Sequence, residues 1–371
     1  MDRLLLAGVS VRSLAQSAAR GGYRTYCLDW FADTDTAACC MDCLVVGGSA
    51  GFDERRLRAA ADRLAPRGTH SALIYGSGFD SRPDLLDELA NGRQLIGNDP
   101  ETLRRVNQPR TFLGLLDELA IPYPDTREDP PASGDWLRKQ GFSEGGSGVG
   151  RHDPDAPPLP AHEHGYFQRF IDAPPRSLLF LANQRDIVTV GFNRLLTSSH
   201  DPLHPFRFAG AITDSRIAPE YANAIERFAL RLTRALHLVG LNSLDFVIDS
   251  TGCRVIELNA RPSATLDLHD RTTPNGLVDA HLKCCRGTLP PPRPAANAPD
   301  RGFRTVFAPQ PLMMPNGFDW PRWTADRPRS GTEIGRDQPI CTVRAEGASP
   351  DQVDRLLTQR QREMLAALML Y

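Results

Sequence analysis

The segment from Leu244 to Pro262 constrains this chain most: Leu-Asp-Phe-Val-Ile-Asp, a turn at Ser250-Thr251-Gly252, then Arg-Val-Ile-Glu-Leu-Asn-Ala-Arg-Pro from Arg254 onward. Two alternating runs about a short polar turn predict an antiparallel hairpin. Centred on Thr251, it pairs residues whose numbers sum to 502, which sets Asp245 opposite Glu257. Residues two apart share a strand face, so Asn259 and Arg261 project with Glu257. Carboxylates directly across a ladder repel each other and call for positive charge between them. A magnesium (or manganese) ion held by Asp245, Glu257 and Asn259 meets that need, because such cations take hard oxygen ligands and share them with phosphates and water. Arg261 would then meet charge that builds on a transferring phosphoryl or acyl group. The plain alternative, a hairpin whose polar face meets water, leaves the opposed acids and the Arg-Pro step without a role.

Upstream, Lys139 closes the run Trp136-Leu137-Arg138-Lys139 and precedes Glu144-Gly145-Gly146-Ser147-Gly148-Val149-Gly150. Glycines let backbone amides approach phosphate oxygens closely, and a lysine adds a point charge. Such a loop can also be no more than a supple connection. Its place ahead of the acidic hairpin favours the phosphate reading.

The first hundred residues alternate strand-like runs (Leu4–Ala7, Tyr23–Leu28, Leu44–Val46, Ala72–Tyr75, Gln94–Ile96) with helical ones (Arg12–Arg20, Glu54–Leu64, Arg82–Ala90), which predicts a parallel sheet covered by helices. Gly8 and Ser10, and the run Gly76-Ser77-Gly78, follow strands at the end where open sheets bind ligands, although ordinary tight turns fit them equally. A helix at Thr111–Leu119 is stopped by Ile121-Pro122-Tyr123-Pro124, and a proline-rich stretch follows the glycine loop at Pro154–Pro160. Strands are expected at Tyr166–Ile171, Leu178–Ala182 and Ile187–Leu195, and a long helix at Pro219–Leu238. Five prolines mark residues 287–300 as a linker, and beyond it come strands at Phe303–Ala308 and Pro339–Ala345 and a closing helix at Pro350–Leu370.

At 371 residues two or three packed domains are expected. With 43 basic against 45 acidic side chains no global field draws the protein to nucleic acid or an anionic membrane. No apolar run reaches membrane length, so a cytoplasmic enzyme acting on small molecules is the natural expectation. Eight cysteines read as reduced thiols; a zinc site from Cys39, Cys40 and Cys43 with Cys284 and Cys285 would have poor ligand spacing.

Taken in this order, the α/β region, the lysine with its glycine loop and the Asp245, Glu257, Asn259 set resemble the ATP-grasp superfamily over most of residues 1–290. The resemblance implies an N-terminal α/β domain (1–105), a two-lobed ATP-grasp domain (106–290) and a small β-rich C-terminal piece with a terminal helix (301–371), loosely similar to the end of biotin carboxylases. It implies ATP as cofactor, held by Lys139, Gly145, Gly146, Ser147 and Gly148, with Gln168, Arg169, Phe170 and Ile171 at the adenine-reading hinge and Lys139 and Arg261 in catalysis. Two departures stand out: no carboxylate falls at Pro174–Arg176 for the ribose unless Asp172 serves, and the first basic nucleotide contact is an arginine, Arg110 or else Arg105. The run from Gly191 to Arg194, His200 and His204 are assigned no role. The activity implied is that of a carboxylate-amine ligase working through an acyl phosphate, similar to tyramine and glutamate ligases of methanofuran-type cofactors and to uncharacterised ATP-grasp proteins of one-carbon pathways. A carboxylase using bicarbonate, a non-catalytic nucleotide binder and an interaction scaffold are the rivals, and a homodimer is one option for assembly.

Overall fold

A computed structural model describes residues 3–48, 51–154, 165–198, 201, 203–291 and 298–369. The N-terminal part runs β1 (Arg3–Gly8), α1 (Arg12–Arg20), β2 (Thr25–Asp29), α2 (Thr34–Ala37), β3 (Asp42–Val45), α3 (Glu54–Leu64), β4 (Ser71–Tyr75), α4 (Pro83–Ala90) and β5 (Gln94–Leu95). All four strand pairings are parallel and the order is β3-β2-β1-β4-β5. The chain therefore leaves β1 toward one edge and β4 toward the other. The crevice where such a sheet binds ligands lies between the C-terminal ends of these two strands. Two helices, α5 (Pro100–Asn107) and α6 (Pro109–Glu118), lead out; the sequence reading had one of them, because Pro109 looks like a stop and is in fact the first residue of α6.

Next come β6 (Thr126–Arg127), β7 (Trp136–Gln140), β8 (Val149–Arg151) and β9 (Gly165–Arg169), a small antiparallel sheet in the order β6-β9-β7-β8. Then follow β10 (Arg176–Asn183), β11 (Ile187–Thr197), β12 (Phe208–Thr213), α7 (Pro219–Leu236), β13 (Val239–Asp249), β14 (Gly252–Asn259), α8 (Leu266–His269) and α9 (Gly276–Cys284). The last stretch holds β15 (Asp300–Phe307), β16 (Leu312–Met313), β17 (Thr324–Ala325), β18 (Glu333–Ile334), β19 (Pro339–Gly347) and α10 (Pro350–Leu368).

One sheet of eight strands, β14-β13-β10-β11-β12-β15-β19-β17, crosses the boundary expected near residue 300: β15 pairs with β12 through Gly210↔Arg304 and Ile212↔Gly302. The C-terminal residues thus extend the central sheet. Its Leu178, Phe180, Leu244, Phe246 and Leu258 share a core with Ile225, Ala229 and Leu232 of α7, while Leu179, Leu181 and Leu241 pack with Leu4, Leu14 and Ile74 of the N-terminal part. Most of the proline-rich stretch from residue 154, His200, and residues 292–297 of the linker lie outside the described residues.

Candidate functional site

The hairpin of β13 and β14 turns at Ser250-Thr251, where Asp249 accepts from the Thr251 amide at 2.7 Å and Gly252 takes a φ of +123°. A two-residue turn gives pairs summing to 501, and those are seen from Asp249↔Gly252 to Phe246↔Val255. A register shift between Asp245 and Phe246 then leaves Ile256 over as the extra residue of a bulge, and the pairs beyond it are Asp245↔Glu257, Leu244↔Leu258 and Ser243↔Asn259. The expected opposition of the two acids is therefore present, and the bulge creates it. Without it Asp245 would face Ile256.

Around this pair the polar groups converge. Asn259 Nδ2 lies 3.1 Å from Glu257 Oε1 and 3.4 Å from Asp245 Oδ2. Ser177 stands opposite Asp245 on the neighbouring strand β10. Burial, then the charge of Glu257, pushes the Asp245 carboxyl well above its ordinary value, while Ser177 and Arg261 oppose the rise. Lys139, buried at the β7 end, has its ammonium lowered by burial and supported by Glu257 and Asp245. Its neighbour across the ladder, Tyr166, has its phenol raised by burial and by Glu257. The small sheet thus brings a lysine and a tyrosine onto the acid pair of the large one.

Arg261 is placed by Asp80, which sequence reasoning missed, together with Asn259 and Glu144. Its Nε donates to Asp80 Oδ2 at 2.5 Å and its Nη2 to Asn259 Oδ1 at 3.1 Å, with Glu144 at 4.0 Å. Burial opposes the guanidinium charge, but Asp80 and Glu144 outweigh it and hold it firmly on. Glu144 in turn accepts from the amides of Gly78 and Asp80, at 2.6 and 3.0 Å, so the glycine loop is tied to the end of β4. Burial and then Asp80 lift its carboxyl well above the ordinary range. These partners are 64 to 66 residues apart in sequence, beyond the reach of any periodicity.

The loop is anchored on its other side by the Phe208 amide, which donates to the Gly145 carbonyl at 2.8 Å. Gly146 sits at φ +74°, and a Cβ there would meet the Phe206 carbonyl oxygen at 2.1 Å. We expect Gly146→Ala to displace the loop, costing about 1–3 kcal/mol in stability and raising KM for nucleotide at least tenfold; a KM left unchanged would remove the loop from the nucleotide site.

At the hinge, Gln168 is buried and its Nε2 donates to Thr126 Oγ1 at 3.1 Å. The Arg169 amide donates to Asp125 O at 2.7 Å, the Phe170 amide to Asp135 O at 2.9 Å, and Ile171 O accepts from Ala173 at 2.8 Å. Phe170 also carries the Arg151 guanidinium 3.6 Å from its ring centre. Arg110 stands exposed at the start of α6 and forks Glu128 rather than either acid of the pair. The thiols group in two places, Cys27, Cys40 and Cys43 about β2 and β3, and Cys285 against His281 at 3.7 Å. Among the described residues no group of three or more His, Cys, Asp or Glu is arranged to hold a metal ion; the acid pair offers two carboxylates, and Asn259 turns its Nδ2 to them and its Oδ1 to Arg261.

Next to Arg261 opens a cavity of about 610 Å³ lined by Ser10, Gly76 and Ser77 at the sheet crevice, by Pro262–Ala264, and by Phe303 and Phe307 of β15. Ser10 and Gly76-Ser77 thus line this cavity at the switch point of the parallel sheet. No helix among the described residues is long and apolar enough to cross a membrane.

Residues 110–265 match a family model described as the ATP-grasp domain. Rhizobium etli pyruvate carboxylase superposes with a TM-score of 0.74 at 14% identity, over 97% of this chain and 37% of that one, so the chain spans little more than a third of that enzyme. Thermotoga maritima N5-carboxyaminoimidazole ribonucleotide synthetase gives 0.66 at 14% identity over 98% of both chains. An L-amino acid ligase from Bacillus licheniformis gives 0.68 at 14% identity, over 97% of this chain and 96% of that one. At such identities the likeness establishes a shared fold.

Proposed function

From the premise that this chain carries an ATP-grasp domain, we propose that it is an ATP-dependent carboxylate-amine ligase, and the observation that carries the proposal is the bulge-set opposition of Asp245 and Glu257 beneath Lys139. A half-buried and an exposed carboxylate held together against their repulsion suit a divalent cation, and Asp245 and Glu257 would hold magnesium there, joined by Asn259 once its amide turns its oxygen from Arg261 to them, with phosphate oxygens and water completing the shell. Bound magnesium supplies charge neutralisation at the phosphates.

The chain's own residues do the remaining work. Lys139 would carry its charge to the phosphates, and the amides of Gly145, Gly146 and Gly148 would cradle them, the Ser147 amide being engaged by the Glu144 carbonyl. Gln168, its nitrogen engaged by Thr126, would offer its oxygen to the adenine amino group. The hydrogen bonds at Phe170 N–H and Ile171 C=O leave Phe170 C=O and Ile171 N–H for the ring edge, among the described residues. Arg169, its amide held by the Asp125 carbonyl, would lie beside this edge, and Arg110 would join the nucleotide site only by leaving Glu128. The γ-phosphoryl group passes to a substrate carboxylate, the amine attacks the resulting acyl phosphate, and phosphate leaves. Arg261, fixed by Asp80 and Asn259, stabilises the oxyanion of that attack.

The fold likeness to both a carboxylase and an amino acid ligase sets the test. ADP release should require both a carboxylic acid and an amine, and hydroxylamine in place of the amine should trap a hydroxamate. Release driven by bicarbonate alone would replace the ligase reading with a carboxylase, and binding without release with a nucleotide-binding protein. A place in methanofuran-type cofactor synthesis would show as a preference for tyrosine-derived amines or glutamate in the same screen.

A further inference from the structure

The acids around the crevice at the end of β1 and β2 are, with one exception, satisfied. Asp29 accepts from the amides of Val11, Phe31 and Ala32 at 2.7, 2.8 and 2.9 Å. Asp35 accepts from the amides of Asp326 and Arg327 at 2.9 and 3.0 Å. Asp326 takes Arg12 Nε at 2.7 Å and Ser10 Oγ at 3.2 Å, and Asp267 takes Arg12 at 3.1 Å and Arg344 at 2.9 Å.

Asp33 is the exception. It is 6% exposed, lines the 610 Å³ cavity, and has no side-chain hydrogen bond or ion pair among the described residues. It occupies the N-cap of α2, where an aspartate ordinarily accepts from the helix amides, yet its side chain makes no cap bond. Arg12, the cation that opposes the rise of its carboxyl, is already engaged by Asp326 and Asp267. A carboxylate this nearly buried, opening only onto the cavity and without a protein partner, is costly unless a ligand, an ion or water completes it. The wall carries an aromatic patch of Trp30, Phe208, Phe303 and Phe307 among serines and threonines, and besides Asp33 its charged residues are Arg12, Asp267, Asp326, Arg329 and Glu333, an excess of acid.

We propose that this cavity binds the amine substrate, and that Asp33 pairs with the ammonium group of an amine carried on an apolar body, which the aromatic wall covers. The assignment rests on the ligase reading for the word substrate, while the binding itself does not depend on turnover. Its position fits delivery to the reacting centre: Pro262–Ala264 follow Arg261 directly, and Ser77 adjoins the Gly78 amide that Glu144 holds.

Calorimetry on the full chain at pH 9, without nucleotide, tests it with hexylamine and 2-phenylethylamine against their neutral isosteres hexan-1-ol and 2-phenylethanol. At least one amine should bind tenfold or more tightly than its alcohol, and Asp33→Asn should erase that preference. Failure of both amines to bind, equal binding of amines and alcohols, or a preference that survives in Asp33→Asn would each overturn the proposal. The wild-type comparison stands even if the variant fails to fold. An intact amine preference in a protein that never releases ADP would sink the ligase reading and leave this site standing.

Discussion

Glu257→Gln should lower turnover about 10³-fold or more while the protein melts at or slightly above the wild-type temperature. Glu257 is exposed on the open face of the hairpin and carries no core packing, so its amide isostere costs no buried contact. It also relieves Asp245 of the charge that, after burial, does most to raise its carboxyl. What is lost is a hard anionic oxygen from a set that has only two, leaving Asp245 and the neutral Asn259 to hold a cation. Lys139 loses the first of the two carboxylates that support its charge, so nucleotide affinity should fall as well. ADP release and calorimetric titration with a non-hydrolysable ATP analogue at several magnesium concentrations check both effects. Turnover equal to wild type would mean that the opposed acids do not hold a catalytic cation.

How much of this was legible before any coordinates divides by the range of the interaction. Helices α1 and α3 fall where their apolar spacing put them, because Leu14, Ala15 and Ala18, and Leu57, Ala60, Ala61 and Leu64, mark a buried stripe at helical period. The facing of Asp245 and Glu257 was anticipated from a turn centred on Thr251, whereas the chain reaches it through a two-residue turn and a bulge at Ile256. A bulge has no composition signature strong enough to be read from one strand. The extension of the central sheet by β15 and β19 was also hidden, since alternation shows that a strand exists and says nothing of its partner. The Asp80, Glu144 and Arg261 knot joins three separate regions, and Glu144 was visible only as the residue ahead of a run of glycines. Asp33 gave no signal at all: an aspartate before Thr34 looks like a helix cap, and only its missing cap bond reveals another purpose.

That purpose has a thermodynamic signature: Asp33→Asn should be more stable than wild type at alkaline pH and no more stable in mild acid. Burial, followed by the charges of Asp326, Asp29 and Asp35 and opposed by Arg12, raises the Asp33 carboxyl from an ordinary value to about 8. A carboxyl raised in the folded state is favourable to folding below its unfolded value, near 4, and that contribution is lost as pH climbs from there through about 8. Asparagine stays neutral throughout and escapes the loss. Allowing for relaxation and water entry, the gain at pH 9 should be about 2–3 kcal/mol, a rise of roughly 3 °C in Tm for a chain of this size, shrinking toward zero near pH 4.5. Asp29, itself raised to about 6 by burial, titrates in both proteins and cancels from the difference. An amine that binds Asp33 should close the gap from the other side, raising the Tm of the wild type at pH 9 and not that of the variant, because a ligand stabilises only the form it binds. A wild type as stable as Asp33→Asn at pH 9 without amine would show that the carboxylate is already satisfied, and the variant's stability advantage would vanish with the cost it was meant to relieve.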